Sequence, residues 1–245
     1  MLLFCLVWLG LLPGTYSRNE NSIIVYCAAG VRGPVEELVN RFENEQDQDL
    51  TVIDGSSGEL LAQIKTQGKG DVFIPGDPAF FEDLSYSYKY LLGYHYPVVV
   101  VNEDGATNKG SFQGLAYRNL NFVRVDLEMA AIGKATEKVI RDSAEGKAME
   151  VNLHGQVARA TQVPLYVSLI DNSAGLTWYS NYLSYEDELE LVELPAGLKT
   201  FVPIKAATLE KSEQITEARE FITYMNNTQG QYIFEQHGYA LEIED

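Results

Sequence analysis

The sequence predicts an α/β protein of two lobes, each a mostly parallel sheet flanked by helices, with two hinge strands between them. Three observations predict it. Strand-like runs alternate with helical patterns, in the order strand, small-residue turn, helix. That series breaks at a long β-type stretch around 94–102 and then starts again. A second long β-type stretch, around 198–208, precedes the closing helices, so the chain crosses twice between units. The expected division is 1–17 as a leader, 18–97 plus 203–245 as the first lobe, and 98–202 as the second.

Composition limits what such a protein does. The chain has 245 residues, 46% of them hydrophobic, enough for a real core. Lys and Arg number 18 against 35 Asp and Glu, a formal charge of −17. That field argues against nucleic acid or an anionic membrane as partner. Any anion site must then rest on local dipoles, because charges beyond roughly 8 Å are damped at physiological salt. The block Met1–Leu12 is apolar but too short for a stable membrane anchor, and Thr15 and Ser17 place small residues before Arg18. It reads as a secretory signal cleaved after Ser17, although no basic residue precedes the apolar core; the alternative is an uncleaved tether. Cleavage leaves Cys27 as the one cysteine, so no internal disulfide is expected. The sequence has no metal-type Cys/His cluster, and no cofactor is expected.

Taken in order, Ser22–Cys27 is a β-rich run, Ala28–Gly33 a small-residue turn, and Pro34 opens a helix with Val35, Leu38, Val39 and Phe42 on its buried face. Leu50–Ile53 is the next strand, and Leu60, Leu61 and Ile64 mark the next helix. Asp71–Pro75 is a third strand, followed by Gly76-Asp77-Pro78 and a short helix with Phe80, Phe81 and Leu84. The tyrosines at 86, 88, 90, 94 and 96 read as a packed linker with wet hydroxyls rather than an aromatic sugar platform. Pro97–Val101 is a buried strand ending at the turn Asn102–Gly105. In the second series Asn121–Val125 is a strand, and Ala130–Gly133 starts a helix with Ile132, Thr136, Val139 and Ile140 on one face. Pro164–Ile170 reads as another strand with Asn172–Gly175 as its turn, and 185–193 as a solvated acidic surface. Ile215, Ala218, Phe221, Ile222 and Met225 form one closing stripe; Tyr232, Ile233 and Phe234 belong to a last helix that stops near Gly238.

The most informative turn is Asp54–Leu61. Ser57 falls at the N-cap position, with Ser56 beside it. The first amides of a helix have no intrahelical partner and carry the positive end of the dipole. Hydroxyls and amides on a turn of small residues can close on an oxyanion, and a serine-capped helix of no further function has the same pattern. In parallel sheets ligands bind beyond the carboxyl ends of strands, where this turn and Ala29-Gly30 both belong. Arg32 could pair with an anion, or with Asp54 or Glu36. Asp77 and Asp126 read as turn or cap residues. Of the three histidines, none lies in an acid–base setting, and His237 beside Gly238 reads as a cap. Ser56-Ser57 is not a nucleophile turn, so an enzyme is not expected.

The chain resembles the molybdate-binding proteins of bacterial ABC importers, within the type II periplasmic binding-protein fold. The resemblance rests on Val25–Gly30 with the Pro34 helix, Gly55–Gly58 with Leu61–Ile64, Gly70–Ile74 with Gly76-Asp77, and Ile233–Tyr239, in family order and spacing. It implies a tetrahedral oxyanion held by neutral donors from both lobes. By position these are Gly30, where relatives often carry serine; Ser57, with Ser56 beside it; Ile132 within Ala131–Gly133; and Val151 beside Asn152. Arg32 is a further candidate. Ile170 stands where many relatives place a tyrosine. The implied function is capture of molybdate, with tungstate second, in the periplasm by a monomer that delivers it to an ABC permease. Sulfate, thiosulfate and phosphate stay open as ligands, as does a role as anion sensor.

Overall fold

The computed structural model describes residues 22–102, 111–127 and 132–243. The candidate leader and Ala131 lie outside them. The first sheet begins with β1 (Ile23–Ala28), α1 (Arg32–Gln46), β2 (Leu50–Gly55), α2 (Ser57–Gln67) and β3 (Val72–Ile74). β1 lies between β2 and β3, parallel to both. The period-2 rule divides its side chains. Val25 and Cys27 face a core with Leu38 and Phe42 of α1, while Tyr26 faces Leu60 and Phe73 under α2. The sheet is thus covered on both faces, as parallel strands require.

The tyrosine-rich piece is a strand, not a linker. β4 (Tyr86–His95) forms the edge of the first sheet, with Tyr86 and Tyr90 exposed. After Tyr96 the chain becomes β5 (Pro97–Asn102), a strand of the second sheet. The return is made after β9 (Glu190–Val192), when β10 (Val202–Leu209) pairs antiparallel with β3 and β4. Aromatic rings pack where the chain crosses: Tyr96 stacks on Tyr179 at 5.0 Å and meets Phe201 at 5.9 Å. The first sheet has the order β2-β1-β3-β10-β4, and α7 (Ile215–Met225) and α8 (Thr228–Gln236) close its outer core.

The second sheet has the order β7-β6-β8-β5-β9, where β6 is Asn121–Val125, β7 Leu153–Val157 and β8 Ser173–Trp178. Its helices are α3 (Gly133–Asp142), α4 (Ala144–Val151), α5 (Gln162–Ser168) and the short α6 (Tyr179–Tyr182). Both sheets are mixed rather than mostly parallel. Pairs involving β6 are parallel, and β5 pairs antiparallel with β8 and β9.

Three further readings of the sequence are corrected here. Residues 164–170 are not a strand. Pro164 lies in the first turn of α5, where its missing N–H costs nothing, and Val163 and Val167 bury one helical face. The strand comes next, where Asn172–Gly175 looked like a turn. Gly175 is small because α5 lies directly on it: a Cβ there would stand 2.4 Å from Val163 Cγ1. The actual turn is at Asn172, whose φ is +51°. The acidic segment 185–193 also contributes structure, since Leu189 and Val192 are buried and β9 pairs with β5. Among the described residues no helix is long and apolar enough to cross a membrane.

Candidate functional site

The parallel strands all release their chains toward one cleft. Ala28, Ala29 and Gly30 follow β1; Gly55, Ser56 and Ser57 follow β2; Gly76 follows β3. From the second sheet come Ile132 at the start of α3, Ala158–Thr161 after β7, and Trp178 at the end of β8. Phe80 and His95 complete the lining of a cavity of about 70 Å³. That is space for roughly five water-sized groups at about 10–15 Å³ each, the scale of a small ion with several oxygens.

The β2–α2 turn is built by its serines, with roles exchanged from those expected. Ser56, not Ser57, is the N-cap. Its hydroxyl accepts from Glu59 N at 3.3 Å, and Glu59 Oε2 accepts from Ser56 N at 2.9 Å. This is a capping box. Ser57 is the first helical residue, and its Oγ accepts the Gly76 N–H at 3.0 Å. With that oxygen occupied by a donor, the Ser57 proton is free to point into the cavity. The first helical amides, at Ser57 and Gly58, lack intrahelical acceptors.

The opposite wall is finished differently. Ile132 and Thr161 are the N-caps of α3 and α5, and neither makes a side-chain capping bond. The first amides of α3 have no acceptor within their helix, but those of α5 are already used: Gln162 and Val163 donate to the Arg159 and Ala160 carbonyls at 3.0 and 3.2 Å, and Pro164 has no N–H. No carboxylate lines the cavity among the described residues, although the protein carries −17 overall. Arg159 is the charged lining residue. Its guanidinium lies 3.6 Å from Glu59, and Lys134 lies 3.5 Å from Asp77, so two ion pairs bridge the lips of the cleft. Asp77 is the cap residue expected of it, accepting from Ala79 N at 2.8 Å.

Gly30, Ser56, Ser57 and Ile132 therefore come together on the cavity. Arg32 does not join them; it is held by Glu36 at 2.7 Å and Asp54 at 3.2 Å. Val151 is 85% exposed at the last turn of α4. A helix C-terminus offers carbonyls, which repel an anion. Ile170 precedes β8, where its carbonyl accepts from the Ser173 hydroxyl at 2.6 Å. His237 caps α8, and its Nε2 lies 3.0 Å from Glu37. Cys27 is fully buried with its thiol pKa pushed up by desolvation, which leaves it unreactive.

The sequence reading missed Ala158–Thr161, His95 and Trp178. The first had a signal: a small-residue turn after a β run, the same grammar as at Gly55–Ser57. It was hidden because β7 is polar and α5 was read as a strand. His95 and Trp178 carried no local signal, since the cavity receives them from the ends of two hinge-side strands that meet only in three dimensions.

Known proteins resemble this chain over most of its length. A family model for bacterial extracellular solute-binding proteins matches residues 23–240. A Haemophilus influenzae protein described only as a binding protein is 26% identical over 229 residues, covering 92% of this chain and 93% of its own. The molybdate-binding protein ModA of Mycobacterium tuberculosis H37Rv is 25% identical over 236 residues, with 93% and 88% covered. Among solved structures, the periplasmic molybdate-binding protein of Azotobacter vinelandii aligns with a TM-score of 0.77 at 16% identity, covering 91% of this chain and 100% of its own.

Proposed function

Because the chain belongs to the bacterial extracellular solute-binding protein family, whose members bind solutes rather than transform them, we propose that its cleft captures a small tetrahedral oxyanion in the periplasm. Molybdate is the first candidate and tungstate the second, and the loaded protein, a monomer, delivers its cargo to an ABC permease. The observation that carries this reading is the convergence of helix N-termini and serine hydroxyls on a small cavity without a carboxylate. Such a site attracts an anion through dipoles and neutral donors, in a protein whose net field would repel it. The resemblance to molybdate-binding relatives chooses among tetrahedral anions.

In this reading Ser57 Oγ and the amides around Gly30 and Ser57 hold the ligand from one side, and the amides at the start of α3 hold it from the other. An anion touching both walls binds the closed form better than the open one and shifts the population toward it. The permease then recognises the closed shape. Capture of this kind involves no chemistry on the ligand and no cofactor.

A thermal-shift panel with molybdate, tungstate, sulfate, thiosulfate and phosphate tests the proposal. A ligand that binds the native state alone raises the melting temperature by mass action. Molybdate and tungstate should give the largest shifts; a panel in which no oxyanion moves the transition rejects the oxyanion reading.

A further inference from the structure

Arg159 brings a full charge to a cavity whose other lining groups are neutral. Its backbone is pinned on both sides. The Arg159 N–H donates to Gln162 Oε1 at 3.0 Å, and the Arg159 carbonyl accepts from Gln162 N at 3.0 Å. The next carbonyl, of Ala160, accepts from Thr177 Oγ1 at 2.9 Å. Thr177 belongs to β8 and is fully buried, so the turn that carries Arg159 is tied to the second sheet.

The guanidinium, by contrast, is uncommitted. Every other arginine among the described residues donates a side-chain hydrogen bond to a carboxylate or a carbonyl. Arg159 does not. Its guanidinium meets Glu59 Oε2 at 3.6 Å, which is an ion pair beyond hydrogen-bond distance. That oxygen already accepts from Ser56 N at 2.9 Å. A guanidinium holds five N–H donors in a planar fork that matches two oxygens of one anion. Among the described residues none of these donors is taken.

Two distances place the head of the side chain. Glu59 Oε2 stands 3.5 Å from where a Cβ on Gly55 would be, and Gly55 lines the cavity. The guanidinium lies 3.6 Å from the same oxygen, so it reaches from the second lobe to the rim of the β2–α2 turn. The neighbouring cations are spent elsewhere. Lys134, on α3, donates to Asp77, and neither of them lines the cavity. Arg32 is held by Glu36 and Asp54.

We propose that Arg159 is the counter-charge of the cleft: a doubly charged oxyanion in the cavity takes the guanidinium as its charged partner, in competition with Glu59. The inference rests on the oxyanion reading and deepens it. Neutral donors fit the shape of the ligand, and Arg159 selects for its charge. The move breaks no hydrogen bond, because the guanidinium makes none with Glu59. The contact across the lips is then a rival for the ligand's partner rather than a latch that holds the lobes together.

Titration calorimetry with molybdate separates a counter-charge from a latch. Arg159→Gln stays polar and loses the charge. Its molybdate affinity is expected to fall about tenfold or more, the scale of a lost hydrogen bond to a charged group. That affinity is also expected to vary less with salt than the wild-type value. Glu59→Gln keeps the capping box, which glutamine also closes, and removes the rival. Its molybdate affinity is expected to rise by up to about fivefold, the scale of one exposed ion pair. Both side chains are exposed, so ligand-free melting temperatures should stay close to that of wild type. Wild-type affinity in Arg159→Gln overturns the inference. An equal fall in the two variants also overturns it, because the pair is then a latch. Both of those outcomes leave the oxyanion reading standing. If the wild type binds none of molybdate, tungstate and sulfate, that reading falls and this inference falls with it.

Discussion

The two walls of the cleft are made from the same strand–turn–helix unit, yet they are finished differently. On the first wall the β2–α2 turn satisfies itself: Ser56 and Glu59 close a capping box, and Ser57 is braced by the Gly76 N–H. On the second, neither Ile132 at α3 nor Thr161 at α5 makes a side-chain capping bond, and α5 satisfies its first amides through the Arg159 and Ala160 carbonyls. A capped helix start holds its shape without a ligand; the first amides of α3 have no acceptor within their own helix. The difference teaches a division of labour. The first wall is organised in advance by its own side chains, and under the proposed function a bound anion would meet the α3 amides of the second. A ligand that touched both walls would favour the closed form.

The largest effect that would sharpen this contrast comes from the ring standing between the walls. Trp178 is 3% exposed and stacks on His95. Trp178→Ala should destabilise the protein by about 3–5 kcal/mol, the cost of deleting a buried aromatic side chain. Denaturant midpoints at unchanged m-value measure it. A loss below about 1 kcal/mol would mean that the second wall is not anchored through this ring. Next in size, Ser57→Ala should weaken anion binding by about 1–3 kcal/mol, because a charged group loses a donor. Calorimetry that finds wild-type affinity would remove Ser57 from the ligand's reach and leave the first wall with amides alone.

How much of this was legible beforehand follows the same contrast. The first wall reads from sequence because its devices are local. Small residues after a β run, and a serine three residues before Glu59, are visible within a few positions. Even so the cap was placed one residue late, since Ser56 and Ser57 are chemically alike and only the backbone decides. The second wall reads poorly because its signals are tertiary. Gly175 is small to admit α5, not to make a turn, and nothing within Ser173–Trp178 says so. Leu165, Val167 and Leu169 imitate strand alternation, but the buried face of α5 is Val163 and Val167, a spacing of four. Val151 does not line the cavity for a related reason: position along the chain does not tell which end of a helix faces the cleft. His95 was dismissed for want of an acid–base partner. It nevertheless lines the cavity, packed by Trp178, Tyr239 and Ser180 from distant segments.

A smaller effect tests whether the first wall is organised in advance. Ser56→Ala removes the cap of α2 and should cost about 1 kcal/mol of stability. Because Ser57 and its brace at Gly76 remain, anion affinity should fall much less than in Ser57→Ala. Equal losses of affinity in the two variants would show that the box and the binding hydroxyl are one device rather than two.

The smallest effect concerns Glu59, which serves both walls. It closes the capping box and faces Arg159 across the lips, with side chains 61% and 44% exposed. An exposed bridge of this kind contributes about 0–1 kcal/mol, and salt screens it. The Glu59 carboxyl is held below its ordinary 4.5, first by the Ser56 N–H, then by the Ser56 side chain, and more weakly by Arg159. Its folded pKa is therefore lower than its unfolded one. The stability it contributes is fully present above about pH 4.5 and is lost as pH falls through the depressed value. Glu59→Gln should flatten that part of the acid limb, while Arg159→Gln should leave it nearly intact, because the dominant cause, the Ser56 N–H, lies within the first wall. Denaturant midpoints of the two variants and wild type, taken at neutral pH and below pH 4.5, measure the difference. If Arg159→Gln flattened the acid limb as fully as Glu59→Gln, the contact across the lips, and not the capping box, would be what holds this carboxylate, and the first wall would not be self-sufficient.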